Sequence, residues 1–115
     1  MHEMSYISRM ISLAAEVAES NGAKKVRSIV IDIGKSSGVM PYYMYKYYPE
    51  ASKGTILEGA ELICEEVPVQ ALCEECGKEY LPVKDNGYLC PHCGGRRAMI
   101  IEGRDVSLRN VVIED

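Results

Sequence analysis

Two Cys-x-x-Cys pairs, "CEEC" (Cys73, Cys76) and "CPHC" (Cys90, Cys93), stand thirteen residues apart in a stretch with almost nothing else to fold around. From Leu72 to Met99 the chain is polar, rich in Gly and Pro and nearly empty of core-forming side chains. A piece of about 35 residues buries too little apolar surface to stand without a staple. The spacing supplies one. Two intervening residues let both thiolates of a pair reach a single ion, and the turn after each pair needs a backbone that accepts positive φ. Gly77 and Gly94 follow Cys76 and Cys93 directly. Two such turns bring four sulfurs into a tetrahedron, the closed site of structural zinc, with no open position for a substrate. Such sites bind with about 10–16 kcal/mol, enough to fold a segment that lacks a core. An iron–sulfur centre or a redox dithiol fits the paired turns and flanking glycines less well. His92 lies between the ligands of its pair and reads as an exposed residue. The fifth cysteine, Cys64, falls inside an apolar run and reads as a small buried hydrophobe.

The remaining chain carries two kinds of periodicity. Met4, Ile7, Ile11, Ala14 and Ala18 recur at spacings of three and four, widened by Met10 and Val17, which predicts a helix of about four turns. Asn21-Gly22 ends it with residues that tolerate the left-handed C-cap. Lys25–Ile33 alternates with Ile29, Ile31 and Ile33 on one face, a strand, and "GKSSG" after it is a turn. Pro41 suits the first turn of a second helix that sends Met44, Tyr47, Tyr48 and Ala51 inward, with Pro49 expected to end it near Tyr48. Ala60–Val69 reads as a second strand, Met99–Glu102 as a short one, and Val106–Ile113 as the last, with Ser107, Arg109, Val111 and Ile113 sharing a face. This order predicts an α+β fold: a small sheet with two helices, interrupted by an inserted zinc-ribbon-like four-cysteine module. The last strand returns to pair with the earlier two, because a two-stranded sheet is marginal.

Composition narrows the classes of function. A net charge of −4 argues against a nucleic-acid binder, and Arg96-Arg97 is a small basic cluster flanked by no others. No run of 18 apolar residues crosses a membrane, and the N-terminus lacks a signal-peptide pattern. Reduced thiols used as metal ligands place the chain in the cytoplasm. With His2 and His92 the only imidazoles and no Ser–His–acid set, an enzyme has little support. The aromatic content is lopsided: no Trp, no Phe and eight Tyr, five of them within Tyr42–Tyr48. That cluster reads either as an amphipathic core face with wet hydroxyls or as an interface.

The opening "MHE" places a histidine next to a terminal amine. The amine nitrogen of Met1, the backbone nitrogen of His2 and the His2 imidazole wrap one metal in fused chelate rings. The backbone nitrogen must lose its proton, which Ni(II) and Cu(II) favour through their square-planar nitrogen field. Glu3 offers a fourth donor, through its amide or its side chain.

Taken together, "MHE" opening an amphipathic helix, "VRSIVIDIGKSSGV", "KGT" before "GAELICEEVPV", "CEEC…CPHC" and "GRDVSLRNVVIE" resemble the HypA family, nickel-delivery accessory proteins for NiFe-hydrogenase maturation, over essentially the whole chain. The resemblance implies a nickel metallochaperone with no catalysis of its own. It implies Ni(II) as transient cargo at Met1, His2 and Glu3, and structural Zn(II) at Cys73, Cys76, Cys90 and Cys93. The implied organisation is a nickel-binding α+β domain over residues 1–68 and 104–115 and a zinc-binding domain over 69–103. The implied partners are the GTPase HypB and the hydrogenase large-subunit precursor, with some relatives serving urease; neither nucleic acid nor membrane is implied, and the chain would be a monomer or weak homodimer. The chain departs from the family pattern at "VMPYYMYKYYPEA", where Tyr42 stands for an acidic residue and tyrosines for phenylalanines. The competing reading is a zinc-ribbon module that binds nucleic acid or protein.

Overall fold

The computed structural model describes residues 2–114. Met1 and the imidazole of His2, two of the expected nickel donors, lie outside the described residues. The elements run α1 (His2–Ser20), β1 (Lys25–Gly34), α2 (Pro41–Ala51), β2 (Glu61–Val67), β3 (Gln70–Cys73), β4 (Glu79–Tyr80), β5 (Ala98–Glu102) and β6 (Val106–Glu114).

Six strands make two sheets, ordered β2-β1-β6 and β4-β3-β5. In the first, β1 is central, parallel to β2 and antiparallel to β6. The parallel pair requires a crossover, and α2 provides it. Both helices cover the face of β1 that carries Ile29, Ile31 and Ile33, and the core there also holds Ile7, Met10, Ile11, Ala14, Ala18, Met44 and Leu57. The expected helical stripe is therefore buried from Ile7 to Ala18, while Met4 at 36% and Val17 at 44% stay exposed. Gly22 takes φ +72 after α1, the left-handed stop that Asn21-Gly22 predicts. The other sheet encloses a separate, smaller core of Ala71, Cys73, Tyr80 and Cys90, with Ile100 packed against it.

Three local expectations are corrected. Pro49 does not end α2 near Tyr48; the helix runs on to Ala51. In the last turn a proline removes a single hydrogen bond, and the Ser52 N–H still reaches the Tyr48 carbonyl at 2.9 Å. The strand expected over Ala60–Val69 stops at Val67, because Pro68 cannot donate to the ladder and the chain crosses to the second sheet. In β6, strict alternation fails. The register against β1 slips between Asn110 and Leu108, so Arg109 is an extra, bulged residue. Val106 and Leu108 face the core before it, Val111 and Ile113 after it.

The segments that lead into and out of the cysteine module are bound to the turn after β1. The Gly103 carbonyl accepts both the N–H and the hydroxyl of Ser36, each at 2.8 Å. The Lys35 N–H donates to Val67 O and the Gly34 N–H to Asp105 O, both at 2.9 Å. The approach leaves no room for side chains: a Cβ on Gly34 would collide with the backbone of Gly103, and one on Gly103 would sit 2.7 Å from the Cα of Val69.

Candidate metal centre

The two cysteine turns are built alike. The Gly77 N–H donates to the Cys73 carbonyl at 2.9 Å, and the Gly94 N–H to the Cys90 carbonyl at 2.8 Å. Gly77 and Gly94 take φ +78 and +74, which only glycine adopts without strain. One residue on, Lys78 O accepts the Cys73 N–H and Gly95 O accepts the Cys90 N–H. The first turn follows β3 and the second precedes β5, so pairing of these two strands brings the sulfur pairs together. Cys73 and Cys93 sulfurs lie 3.6 Å apart, Cys76 and Cys90 sulfurs 3.7 Å apart, and all four fall within 4.8 Å of one another. A tetrahedron with metal–sulfur bonds of about 2.3 Å has edges of about 3.8 Å. Donor type, number and spacing therefore fit a zinc tetrathiolate. Cys73 and Cys90 are buried and Cys76 and Cys93 exposed, so the cluster lies at the surface with one wall against the small core.

Its electrostatics point the same way. The Cys76 N–H lowers the Cys73 thiol to about 7. Cys93 is pushed up to about 12: the Gly95 N–H pulls it down, but its contact with Cys73 and burial outweigh that pull. Burial and then the surrounding cysteines raise the Tyr80 hydroxyl. Four sulfurs this close cannot all carry charge without a cation, and a bound divalent ion supplies the counter-charge that lets them ionise. His92 is exposed and stands outside the cluster of donors. One contributor escaped the sequence reading: Glu75, between the first two cysteines, accepts the N–H groups of Arg96 and Arg97 at 2.9 and 3.5 Å, strapping one turn to the other. Nothing sets Glu75 apart from its neighbour Glu74 in sequence, since the strap depends on a residue 21 positions away.

Against the sheet of β1, β2 and β6, α1 begins at His2, and the carboxylate of Glu3 accepts the backbone N–H of Met40 at 3.2 Å. Met40 is the N-cap of α2, and its own side chain caps nothing. The tyrosines differ in burial. Tyr48 is buried, its hydroxyl donating to Leu57 O at 3.3 Å. The Tyr45 hydroxyl accepts the Cys64 N–H at 2.8 Å. Tyr43 and Tyr47 stack with centroids 6.2 Å apart, while Tyr42 is 65% exposed.

Known proteins share this fold. Residues 1–113 match the family described as "Hydrogenase/urease nickel incorporation, metallochaperone, hypA". The hydrogenase maturation factor HypA of Aquifex aeolicus is 37% identical over 114 residues, covering 99% of this chain and 98% of that one. The HypA of Nitrosospira multiformis is 38% identical over 111 residues, covering 96% of each. A solution structure of a HypA protein superposes with a TM-score of 0.78 at 25% identity, covering 99% of this chain and 97% of the other. The fold is also that of the Ni metallochaperone HypA from Helicobacter pylori, with a TM-score of 0.76 at 22% identity over 96% of both chains. By a match from its first residue to within two of its last, the chain belongs to the HypA family of nickel metallochaperones, accessory maturation factors rather than enzymes.

Proposed function

We propose that this chain binds Ni(II) at its N-terminus and delivers it to the precursor of a NiFe-hydrogenase, while Cys73, Cys76, Cys90 and Cys93 hold a structural zinc. The observation that carries the reading is the tether between Glu3 and Met40. A chain end ordinarily frays. Here the first turn of α1 is fastened to the N-terminus of α2, which holds the backbone of Glu3 in one place. The donors are the amine of Met1, the backbone nitrogen and imidazole of His2, and the backbone nitrogen of Glu3, whose carboxylate is engaged elsewhere. A terminal chelate lets cargo leave ligand by ligand, as a carrier requires. Amine and imidazole titrate near ~8 and ~6.5 in peptides, and both must be neutral to bind, so affinity falls as pH drops below neutrality.

Zinc, when bound, supplies charge and cross-linking and no chemistry on a substrate. The chain's own residues shape its module: the two glycine turns aim the sulfurs, and Glu75 locks one turn to the other. We read residues 1–68 with 104–115 as the nickel domain and 69–103 as the zinc domain. The partners are the GTPase HypB and the hydrogenase large-subunit precursor, met in the cytoplasm by a monomer or weak homodimer. The family description names urease beside hydrogenase as a destination for nickel.

Nickel titration of untagged protein tests the reading, beside His2→Ala and a variant extended by one N-terminal residue. Both changes abolish the strong nickel site and leave about one zinc per chain. Nickel binding equal to the parent in either variant would overturn it.

A further inference from the structure

The cysteine module carries a cavity of about 350 Å³ that no part of the metal centre uses. It forms because small residues face it on adjacent strands. Ala71 of β3 and Ala98 of β5 line it beside Ile100, together with the buried Tyr80 of β4. Two residues at the rim set its character. Tyr88 is 60% exposed, yet its backbone is fixed at both ends: its N–H donates to Val83 O at 2.9 Å, and its carbonyl accepts the Tyr80 hydroxyl at 3.4 Å. It holds φ +62, a left-handed conformation that glycine takes freely and an aromatic residue does not. Strain of this kind persists where the position of the side chain is useful. Arg96, also at the rim, forms no ion pair among the described residues; the nearby Glu75 is occupied with the backbone N–H groups of Arg96 and Arg97.

An apolar cavity with one unpaired cation at its lip calls for an apolar group next to a carboxylate. The strand beside it says what kind of molecule carries them. β5 is the edge of its sheet, so alternate backbone groups point away from β3 with no neighbouring strand. Ala98 and Ile100 share the face of β5 that borders the cavity, Arg96 lines it two residues before the strand begins, and the register slip beyond Ile100 confines regular pairing to that part. We propose that this surface docks an extended segment of a partner protein in which a bulky apolar residue adjoins an aspartate or glutamate. The segment adds along the β5 edge, its apolar side chain fills the space over Ala71 and Ala98, its carboxylate meets Arg96, and Tyr88 closes over it. The proposal is independent of the nickel site.

Selection from a displayed library of random hexapeptides on the zinc-loaded full chain tests it. Enriched peptides carry Asp or Glu within two positions of Leu, Ile, Met or Phe, and the best shift the amide resonances of Ala71, Tyr88 and Ala98. Arg96→Gln weakens them by about tenfold or more, the loss of a charged hydrogen bond. Tyr88→Gly also weakens them, yet leaves the chain at least as resistant to urea, because glycine relieves the left-handed backbone. A purely structural tyrosine would lose stability instead. No enrichment, enrichment without acidic residues, resonance shifts confined elsewhere, or full binding by Arg96→Gln would each overturn the proposal.

Discussion

The carboxylate of Glu3 is bonded to the backbone N–H of Met40, thirty-seven positions along the chain, so the first turn of α1 supplies the cap that α2 lacks. An anion at a helix N-terminus is favourable both as an acceptor and against the helix dipole. Glu3→Ala should cost about 0.5–1 kcal/mol in urea unfolding, as the loss of an exposed cap does. It should also free the first turn of α1, and ordering a residue costs about 1–2 kcal/mol, so nickel affinity falls about tenfold or more. Zinc content stays unchanged. Glu3→Gln keeps an acceptor oxygen and should recover most of the nickel affinity. Equal losses in the two variants, by calorimetric titration, would remove the tether from the account.

The junction at Gly34 is the second place where one contact governs two parts of the fold. Gly34→Ala puts a methyl against the Gly103 backbone, which carries the exit from the cysteine module. Because backbone must move to make room, the loss should be about 2–3 kcal/mol. Ser36→Ala deletes only the hydroxyl bond to Gly103 O and should cost about 1 kcal/mol. Urea midpoints of the two variants, with amide spectra of Val67, Gly103 and Asp105, check the ordering. A Gly34→Ala protein as stable as the parent would show that the junction yields easily.

Much of this was legible in the sequence where one residue type had one physical job. The isoleucine alternation of β1 announced a buried face, and Gly77 and Gly94 announced the turns that aim the sulfurs. Legibility failed where the determinant was remote or arithmetic. The bulge at Arg109 breaks a period of two, and its residue is held by partners on other strands: Asp32, whose carboxylate lies 2.7 Å from Nη2, and Glu65, 2.7 Å from Nη1. Read locally, Arg109 sat with Val111 on one face; the ion pairs across β1 and β2 put it on the outer one. Pro49 failed for a different reason. The rule that proline breaks helices is written for interiors, and two residues from a terminus little is left to break. The straps from Glu3 and Glu75 to distant N–H groups left no sequence signal, since one carboxylate among many acids looks like another.

Alkaline pH should weaken the main fold through one buried and one partly buried group. Burial raises Cys64 from 9.0 to about 11, against a smaller lowering by Tyr45. Burial raises Tyr48 from 10.0 to about 12. Both pKa values are higher in the folded chain, so the folded state favours the protonated forms. Their stabilisation is complete below pH 9, begins to fall as unfolded chains ionise above it, and is gone past pH 12. Urea midpoints should drop progressively between pH 9 and pH 12, and less so in Cys64→Ala. The same shift makes Cys64 a poor nucleophile. At pH 8 its thiolate fraction is about a hundredfold below that of an ordinary cysteine, and iodoacetamide should modify it correspondingly slowly in the native protein. Rapid native alkylation at Cys64 would contradict the burial argument.

Removing the metal should separate the two cores. The small one consists of Ala71, Cys73, Tyr80 and Cys90, two of them from the sulfur cluster, and it has little else to hold it. The large one rests on Ile29, Ile31 and Ile33 under two helices and contains none of the four clustered cysteines. Zinc binding is worth about 10–16 kcal/mol to such modules. Cys73→Ser, or a strong chelator, should therefore abolish amide protection in β3, β4 and β5 while β1, β2 and β6 remain protected in hydrogen exchange. His92→Ala and Cys64→Ser should keep about one zinc per chain, because neither residue belongs to the sulfur tetrahedron. The main sheet has its own contact with the module at Gly103, so β6 nearest the junction should loosen first. Retained zinc in Cys73→Ser would count against the tetrathiolate. Collapse of both sheets together would show that the junction at Gly34 and Gly103 makes them a single cooperative unit.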